Sequence, residues 1–196
     1  MEVLLSLLVG YGLGSLPLGY LVASRLKGID LRRSGSGNVG ATNVYRSAGL
    51  SLGLMVMAID IGKGAASVLL ASRVSAHAIA PVTAGVAAVI GHIYPIWLRF
   101  HGGKGVATAC GVFATLAPPA TTAAAIVFII IVWFTRYVSL GSVIATAVLP
   151  PLAWITNAPI AVVWGSALTA LLIIARHRGN IVRLQQGTER RLGQQA

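Results

Sequence analysis

The sequence predicts an all-α polytopic membrane protein, because its composition, the length of its apolar runs and the placement of its basic residues all favour that fold class. Hydrophobic residues make up 56% of the 196 residues and charged residues only 10%, whereas a soluble domain carries roughly 25% charged residues. Mean hydropathy is +0.83, and the apolar runs approach the roughly 20 residues that a helix needs to cross the hydrocarbon core. We expect one domain over residues 1–196, with residues 177–196 as a cytoplasmic tail.

Seven apolar segments are the predicted transmembrane helices. The first contains Pro17, which predicts a kink because proline lacks the N–H of a regular helix. Residues 106–134 contain Pro118-Pro119 and form either one kinked helix or two shorter ones. With a break at these prolines, the spans are residues 3–24, 50–72, 78–98, the two parts of 106–134, 140–155 and 160–175.

The distribution of positive charge favours seven spans. The formal charge of +11 comes from 15 Lys and Arg against four acids. With seven spans, nearly all the basic residues share one side and Arg73 falls opposite; with six, Arg136 and the tail change sides. Because basic loops stay in the cytoplasm, we expect the N-terminus outside and the C-terminus in the cytoplasm. Membrane orientation accounts for the charge, so we expect no nucleic-acid partner.

The longest polar interruption, residues 34–43 followed by Arg46, is rich in glycines and polar side chains and contains no acid. Successive N–H groups in a tight glycine turn form a concavity that binds anions, above all before a helix N-terminus. Gly35, Gly37 and Gly40 also match a dinucleotide fingerprint, but that fingerprint requires a preceding strand, and a membrane span precedes this loop. The sequence predicts a pocket for a phosphorylated molecule; a flexible turn is the alternative.

A second glycine-rich loop, residues 99–105, precedes a helix and carries Lys104. It is not a Walker A phosphate loop, since Leu98 and Gly105 stand where Gly and Ser or Thr are needed. A helix N-terminus beside a Lys still suits a phosphate, and a Lys retained in a cytoplasmic turn is the alternative. His92, near the end of the preceding span, fits a packed residue as well as a catalytic one.

Three further polar features lie outside these loops. Asp60 and Lys63 are spaced i,i+3 within a span and can pair, and a structural pair is favoured over a proton or ion path. Residues 136–142 add two hydroxyls at the start of a later span. In the tail, His177 and Asn180 share a helix face, which favours a site over a basic helix lying on anionic lipid.

Five segments together resemble the bacterial acyl-phosphate-dependent glycerol-3-phosphate acyltransferases. They are GSGNVGATNVYR (Gly35–Arg46), DIGKG (Asp60–Gly64), GHIYPIWLRFHGGKGVAT (Gly91–Thr108), RYVSLGS (Arg136–Ser142) and HRGNIVRLQQGTE (His177–Glu189). The resemblance spans essentially the whole chain. It implies a seven-span enzyme of the bacterial inner membrane with its active site facing the cytoplasm. The implied reaction transfers a fatty acyl group from acyl phosphate to the 1-hydroxyl of glycerol 3-phosphate, giving lysophosphatidic acid and inorganic phosphate.

The resemblance also implies the site residues. Those implied to be catalytic and to bind glycerol 3-phosphate and phosphate are Ser36, Arg46, Lys104, His177 and Asn180. The further set implied to bind substrate and phosphate is Gly35, Gly37, Asn38, Thr42, Asn43, His92, Gly102, Gly103, Thr108, Ser139 and Ser142. Within that set, the two asparagines and the histidine are expected to hold the loops in shape. The last three hydroxyls and the amides of Gly102 and Gly103 are expected to cradle the acyl phosphate.

No metal or cofactor is expected, since acyl phosphate already carries a good leaving group and the sequence contains no metal-ligand cluster. The expected partners are glycerol 3-phosphate, acyl phosphate and membrane lipid, and the protein is expected to be a monomer. The alternative function is a membrane transporter for a small phosphorylated solute, which the Asp60–Lys63 pair supports.

Direct acyl transfer is expected rather than an acyl-enzyme. A covalent route needs a nucleophile beside a base, and no sequence feature supplies a base to Cys110, the single cysteine. A Ser–His–acid set is also hard to assemble, because Asp60 lies at midspan and Glu189 lies late in the tail. The hydroxyl proton passes either to His177 or to the substrate's own phosphate, and the sequence leaves both acceptors open.

Overall fold

The computed structural model describes residues 1–194, which form α-helices joined by short loops, with no β-strand among them. The last two residues of the expected tail, 195–196, lie outside the described residues. A single 3₁₀ turn covers Ile96–Leu98. In chain order the helices are α1 (Glu2–Ser15), α2 (Leu18–Lys27), α3 (Ala41–Ala48), α4 (Leu50–Val74), α5 (Ala80–Ile93), α6 (Val106–Leu116), α7 (Pro118–Thr135), α8 (Val138–Ile155), α9 (Ile160–Arg176) and α10 (Arg178–Gln185).

The kink predicted at Pro17 and the break predicted at Pro118-Pro119 both occur as interruptions between helices. α1 ends at Ser15 and α2 begins at Leu18, with Leu16 between them at φ −60° and ψ 117°. α6 ends at Leu116 and α7 begins at Pro118, so the prolines here separate two helices. Proline supplies no N–H donor and drives the preceding residue out of the helical conformation, which accounts for both breaks.

The helices suit a membrane, as predicted, but their lengths do not fix the number of spans. Within residues 1–194, five segments are long and apolar enough to cross: Glu2–Lys27, Leu50–Val74, Ala80–Leu98, Pro118–Thr135 and Val138–Ile155. A sixth is available if α9 and α10, bent by 58° at their junction, act as one span. α6 has 11 residues, and such a helix is about 16 Å long, well short of a hydrocarbon core of about 30 Å. The protein is an all-helical integral membrane protein, and seven spans stay a prediction.

The described chain divides into two compact units, residues 1–112 and residues 113–192, and the expected single domain stays a prediction. In the first unit, α1 packs on α5 through glycines. A side chain at Gly10 would overlap the backbone of Ala84, and one at Gly14 would overlap the backbone of Ala88. Small residues therefore set the spacing of these two helices, as they commonly do in membranes.

Two local cores position the polar segments. In the first unit, buried apolar side chains from α2, the first loop, α3 and α4 form one cluster: Ala23, Leu31, Val39, Val44, Leu52 and Val56. In the second unit, α8 packs against both α7 and α9. Gly141 of α8 lies against the side chains of Val132 and Phe128 of α7, which fixes the helix turn that carries the RYVSLGS motif.

Candidate active site

The first glycine-rich loop is shaped by Asn43, a buried residue in the first turn of α3. Its Oδ1 accepts the backbone N–H of Ser36 at 2.8 Å, and its Nδ2 donates to the carbonyls of Leu31 at 3.2 Å and Ser34 at 2.9 Å. Gly35 has φ +61°, and a side chain there would overlap the Asn43 carboxamide. One amide side chain thus holds the loop at three points, which is the loop-shaping geometry expected of it.

A second asparagine completes the turn. Asn38 Oδ1 accepts the N–H of Gly40 at 2.9 Å, a local turn that leads directly into α3. Gly37 adopts φ +72°, a left-handed conformation that favours glycine. Ser36, near the tip of the loop, is exposed, and Thr42 at the start of α3 is half-buried. The loop therefore presents a hydroxyl and a helix N-terminus from a fixed backbone.

The first loop keeps a net positive charge even though an acid, Asp30, lies beside it. Arg32 Nε lies 3.0 Å from Asp30 Oδ1, and a second bond joins Arg32 to the other carboxylate oxygen at 3.0 Å. The hydrogen bond from Arg32 holds the pKa of Asp30 below its usual value, so the carboxylate stays ionised and its partner balances it. Arg33 and Arg46 leave the segment positive, as an anion site requires.

The second glycine-rich loop is tied to the end of α5. The N–H of Gly102 donates to the carbonyl of Ile93 at 3.1 Å, and the N–H of Gly103 donates to the carbonyl of His92 at 3.1 Å. Both donors are therefore engaged within the chain, and the expectation that these two amides cradle the acyl phosphate stays a prediction. The glycines also serve close packing, since a side chain at Gly102 would overlap the His92 carbonyl and the Pro95 ring.

Asp60 and Lys63 form the expected structural pair, and His92 joins it. Lys63 Nζ lies 3.0 Å from Asp60 Oδ1, and His92 Nδ1 lies 3.4 Å from the same oxygen. Lys63 Nζ also donates to the carbonyl of Leu16 at 3.4 Å, at the break between α1 and α2. All three side chains are buried. The sequence does not predict the contact with His92, because His92 lies on a different helix.

Lys104 and Thr108 flank the start of α6 at Val106. Lys104 is half-buried. Thr108 is fully buried, and its hydroxyl has no hydrogen-bond partner among the described residues, which is uncommon for a buried polar group. An acceptor oxygen that reached this hydroxyl would satisfy it.

In the second unit the organising residue is Glu189, which is not among the residues predicted for the site. Its Oε1 accepts hydrogen bonds from Ser139 Oγ at 2.8 Å and Asn180 Nδ2 at 2.6 Å, and its Oε2 accepts from Arg183 Nε at 2.8 Å. Although Glu189 lies late in the tail, it meets the motif hydroxyl of Ser139, because the chain turns back after α10 at Gly187, with φ +69°. Two sequence signals point to Glu189: it ends the segment HRGNIVRLQQGTE, and it is the sole acid in an arginine-rich tail.

The electrostatics of Glu189 follow from these bonds. Burial raises the pKa of Glu189, but the hydrogen bonds from Asn180, Ser139 and Arg183 outweigh burial and hold the pKa below its usual value. The carboxylate is therefore ionised at neutral pH. It fixes Asn180, a predicted site residue, against the start of α8.

Ser142 and His177 donate to helix carbonyls. Ser142 Oγ donates to the carbonyl of Val138 at 2.8 Å. His177 Nδ1 lies 2.8 Å from the carbonyl of Ile173. Because a carbonyl oxygen only accepts, Nδ1 carries the proton in this contact, and Nε2 is the nitrogen that can take one up. His177 is almost fully buried, at the junction of α9 and α10.

An open cavity of about 550 Å³ lies at the surface of the second unit. Its lining combines apolar and aromatic side chains with two arginines and includes Phe134, Arg136, Tyr137, Leu184 and Arg191. Arg191 Nε donates to the Tyr137 hydroxyl at 3.3 Å. This lining suits a molecule with an apolar chain and an anionic head.

The predicted residues thus fall into three groups, each within one unit. Ser36, Asn38 and Asn43 share the first loop, His92 meets Gly102 and Gly103 in the second, and Ser139 meets Asn180 through Glu189. Over residues 1–194, no three His, Cys, Asp or Glu side chains cluster so as to hold a metal ion.

Comparisons with known proteins agree along the whole chain. The family model described as Glycerol-3-phosphate acyltransferase matches residues 4–187. A protein of Synechococcus sp. (strain CC9902) named glycerol-3-phosphate acyltransferase is 47% identical over 191 residues, which are 97% of this chain and 96% of the relative. Crystal structures of PlsY (YgiH), an integral membrane glycerol 3-phosphate acyltransferase, match in a glycerol 3-phosphate form and a lysophosphatidic acid form. Their TM-scores are 0.92 and 0.91 and their identities 40% and 39%, and each match covers 98% of this chain and 96% of the PlsY chain. This chain belongs to the glycerol-3-phosphate acyltransferase family.

Proposed function

We propose that this protein transfers a fatty acyl group from acyl phosphate to the 1-hydroxyl of glycerol 3-phosphate, giving lysophosphatidic acid and inorganic phosphate, as the first step of phospholipid synthesis. The observation that carries the proposal is the full-length similarity to PlsY in a glycerol 3-phosphate form and a lysophosphatidic acid form. These two molecules are the acceptor and the acylated product of the proposed reaction. The five motifs quoted above support acyl phosphate as the donor.

Five residues are proposed to bind glycerol 3-phosphate and phosphate: Ser36, Arg46, Lys104, His177 and Asn180. The acid-poor, positively charged first loop supports this, and so does the position of Lys104 just before the N-terminus of α6. Hydrogen bonds to charged groups contribute roughly 1.5–3 kcal/mol each, so loss of one cationic residue is expected to weaken turnover at least about tenfold.

The acyl phosphate is proposed to meet three hydroxyls and also the two glycine amides, which have to release their carbonyl partners to bind it. The buried hydroxyl of Thr108 supports this, because it is unsatisfied in the described structure. Ser139 and Ser142 already donate to Glu189 and to the Val138 carbonyl, so each has to rotate its hydroxyl to donate to substrate. The arginine-lined cavity of the second unit is a candidate position for the anionic head and the first part of the acyl chain.

The transfer is proposed to be direct. The 1-hydroxyl oxygen attacks the acyl carbonyl carbon, the bond between that carbon and the phosphate oxygen breaks, and the electron pair leaves with inorganic phosphate. The proton of the hydroxyl passes to His177 Nε2 or to the substrate's phosphate. The bond from His177 Nδ1 to the Ile173 carbonyl supports the histidine, because it leaves Nε2 as the proton-accepting nitrogen. Positively charged and hydroxyl donors stabilise the charge that develops on the acyl oxygen.

The membrane arrangement is proposed to be seven spans in the bacterial inner membrane, with the N-terminus outside, the tail and the active site in the cytoplasm, and a monomeric chain. Single cysteines replacing the exposed residues His101 and Ala76, in a Cys110→Ala background, test it by labelling in intact cells. The two are expected to label from opposite sides. Labelling of both cysteines from the same side would contradict the seven-span arrangement.

The function is tested on purified protein in lipid vesicles supplied with acyl phosphate. Phosphate release is expected to depend on glycerol 3-phosphate and to fall at least about tenfold in Arg46→Ala and Lys104→Ala. Arg25→Ala, which removes an exposed arginine from the last turn of α2, is the matched control and is expected to keep wild-type rates. Uptake of glycerol 3-phosphate into the vesicles with no phosphate release would favour the transporter instead. Wild-type kinetics in both site variants would show that the binding site is elsewhere.

A further inference from the structure

A buried charged cluster sits beneath the Lys104 loop and has no place in the proposed chemistry. It consists of Asp60 and Lys63 on α4 and His92 on α5, with side chains 4%, 6% and 8% exposed. Ionisable side chains inside a membrane span are costly and are usually functional. A pair that only neutralised itself would account for Asp60 and Lys63 but not for the histidine from another helix.

His92 connects this cluster to the glycine loop through the two nitrogen-bearing edges of its imidazole ring. The Nδ1 edge faces Asp60 Oδ1 at 3.4 Å. The opposite edge faces Gly103, where an added side chain would overlap His92 Nε2. The backbone of His92 also accepts the Gly103 N–H at 3.1 Å. The imidazole ring and the backbone carbonyl of His92 therefore both hold Gly103, the residue that directly precedes Lys104.

The surroundings of the cluster leave it little freedom. The cavity beside it has a volume of about 10 Å³, which admits at most a single water. Lys63 Nζ is tied both to Asp60 and to the Leu16 carbonyl at the α1–α2 break. With so little solvent, the orientation of the imidazole depends on Asp60, since this buried carboxylate lies 3.4 Å from the Nδ1 edge of the ring.

We infer that Asp60 is a positioning residue for acyl transfer, which determines the position of Lys104 through His92 and Gly103. Lys63 keeps the Asp60 carboxylate charged and holds it in place. The inference rests on the proposed role of Lys104 in binding phosphate. It assigns Asp60 no contact with substrate. Its consequence is that Asp60 contributes to glycerol 3-phosphate binding only while Lys104 is present.

A double-mutant cycle tests this dependence. The variants are Asp60→Asn, Lys104→Ala, the double variant, and Ser67→Ala as a control. Ser67 is a buried residue one turn further along α4 whose hydroxyl donates to the Lys63 carbonyl. For each, kcat and the KM for glycerol 3-phosphate are measured by phosphate release from acyl phosphate.

Asp60→Asn is expected to raise KM about tenfold with kcat changed less than about threefold, whereas in the Lys104→Ala background it adds less than about twofold, since coupled residues are non-additive. Ser67→Ala is expected to match the wild type. A full tenfold effect of Asp60→Asn without Lys104 would overturn the inference while leaving the binding site intact. Wild-type kinetics in Lys104→Ala would overturn the binding role of Lys104, and the inference with it.

A spectroscopic readout covers the case in which the neutral variant does not fold. A nitroxide on a cysteine replacing exposed His101, in the Cys110→Ala background, reports the mobility of the glycine loop. Asp60→Glu retains the charge but shifts the carboxylate by one methylene. It is expected to increase label mobility, as Asp60→Asn does where it folds, and Ser67→Ala is not. Unchanged mobility in the Asp60 variants would contradict the inference.

Discussion

Two buried carboxylates, one in each compact unit, illustrate two ways of holding a polar site in a membrane protein. Asp60 lies within α4, a helix long and apolar enough to cross the membrane, and its partners are Lys63 one turn away and His92. Glu189 lies in the segment after α10 and accepts hydrogen bonds from Ser139, Asn180 and Arg183. The first cluster carries its countercharge on the same helix, whereas the second collects donors from α8 and from the neighbouring α10.

The difference follows from the solvent that each cluster can reach. In a span no water stabilises an ion, so the carboxylate needs a cation that is itself buried. Lys63 is 6% exposed, whereas Arg183 is 46% exposed. Glu189 can therefore rely on two neutral donors and a cation that remains largely in water. The countercharge is expected to be indispensable in the first cluster and dispensable in the second.

The largest effect is expected from Lys63→Met. Removing one member of a buried ion pair leaves an uncompensated charge and costs about 3–5 kcal/mol. Thermal and denaturant unfolding in detergent measure this cost, with Ser67→Ala as the control on the same helix. Stability within 1 kcal/mol of the wild type, roughly the size of a surface ion pair, would break the comparison.

Glu189→Ala is expected to come next. Ser139 can rotate its hydroxyl, so the cost falls on the Asn180 amide, which loses its acceptor at about 1–3 kcal/mol. Acyl transfer falls because Asn180 loses its anchor. Glu2→Ala is the matched control, since Glu2 is half-exposed and accepts one bond from Ser75. Equal stability of the two alanine variants in unfolding measurements would show that the Glu189 contacts are not structural.

The Glu189 carboxylate is expected to make the stability of the tail cluster sensitive to acid. The pKa of Glu189 is lower in the folded protein than its ordinary value of 4.5. The stability that this group contributes is thus fully present above pH 4.5 and is lost as the pH falls through the folded pKa. Unfolding of wild type and Glu189→Gln, followed from pH 7 to pH 3, is expected to converge at the acid end. A difference that stays constant with pH would contradict this.

Arg183→Met is expected to have a small effect, about 1 kcal/mol or less in unfolding measurements, because exposed ion pairs contribute little. Measured beside Lys63→Met, it sharpens the contrast between the two countercharges. A loss of unfolding free energy as large as that of Lys63→Met would mean that solvent exposure does not determine how much each countercharge stabilises the protein.

The smallest effect is expected from Cys110→Ala. Cys110 is half-buried in α6 and belongs to neither cluster, and direct transfer gives it no role. Acyl transfer rates within about twofold of the wild type are expected, since a substitution away from a site is usually nearly neutral. A tenfold or greater loss would point to a thiol intermediate.

Composition predicts the helical membrane class, the lack of an N–H at Pro17 predicts a kink there, and the distribution of positive charge favours the break at Pro118. The loop-shaping position of Asn43 is implied by the resemblance of its motif. The sequence does not predict contacts that need the tertiary fold. Ser139 meets Glu189 across 50 positions of chain, and His92 reaches Asp60 from a separate helix. Neither the periodicity nor the residue spacing of the sequence predicts either of these two contacts.

The amides of Gly102 and Gly103 illustrate a different limit on predicting an anion site from loop composition. The composition of residues 99–105 correctly indicates a tight turn, yet donor availability depends on where α5 ends. Because α5 ends at Ile93, its last carbonyls accept the N–H groups of Gly102 and Gly103. A loop with the composition of an anion nest here uses its amides for its own closure.

The central claim, that the chain transfers an acyl group directly to glycerol 3-phosphate, is tested most directly by following a radiolabelled acyl phosphate. Purified protein in vesicles is incubated with the labelled donor, with and without glycerol 3-phosphate, and the label is counted in lysophosphatidic acid, free fatty acid and denatured protein. The expected result is label in lysophosphatidic acid, equal to the phosphate released, only when glycerol 3-phosphate is present, and none on the protein. Label held stably on the protein and chased off by glycerol 3-phosphate, or release of fatty acid at the same rate without the acceptor, would contradict the account.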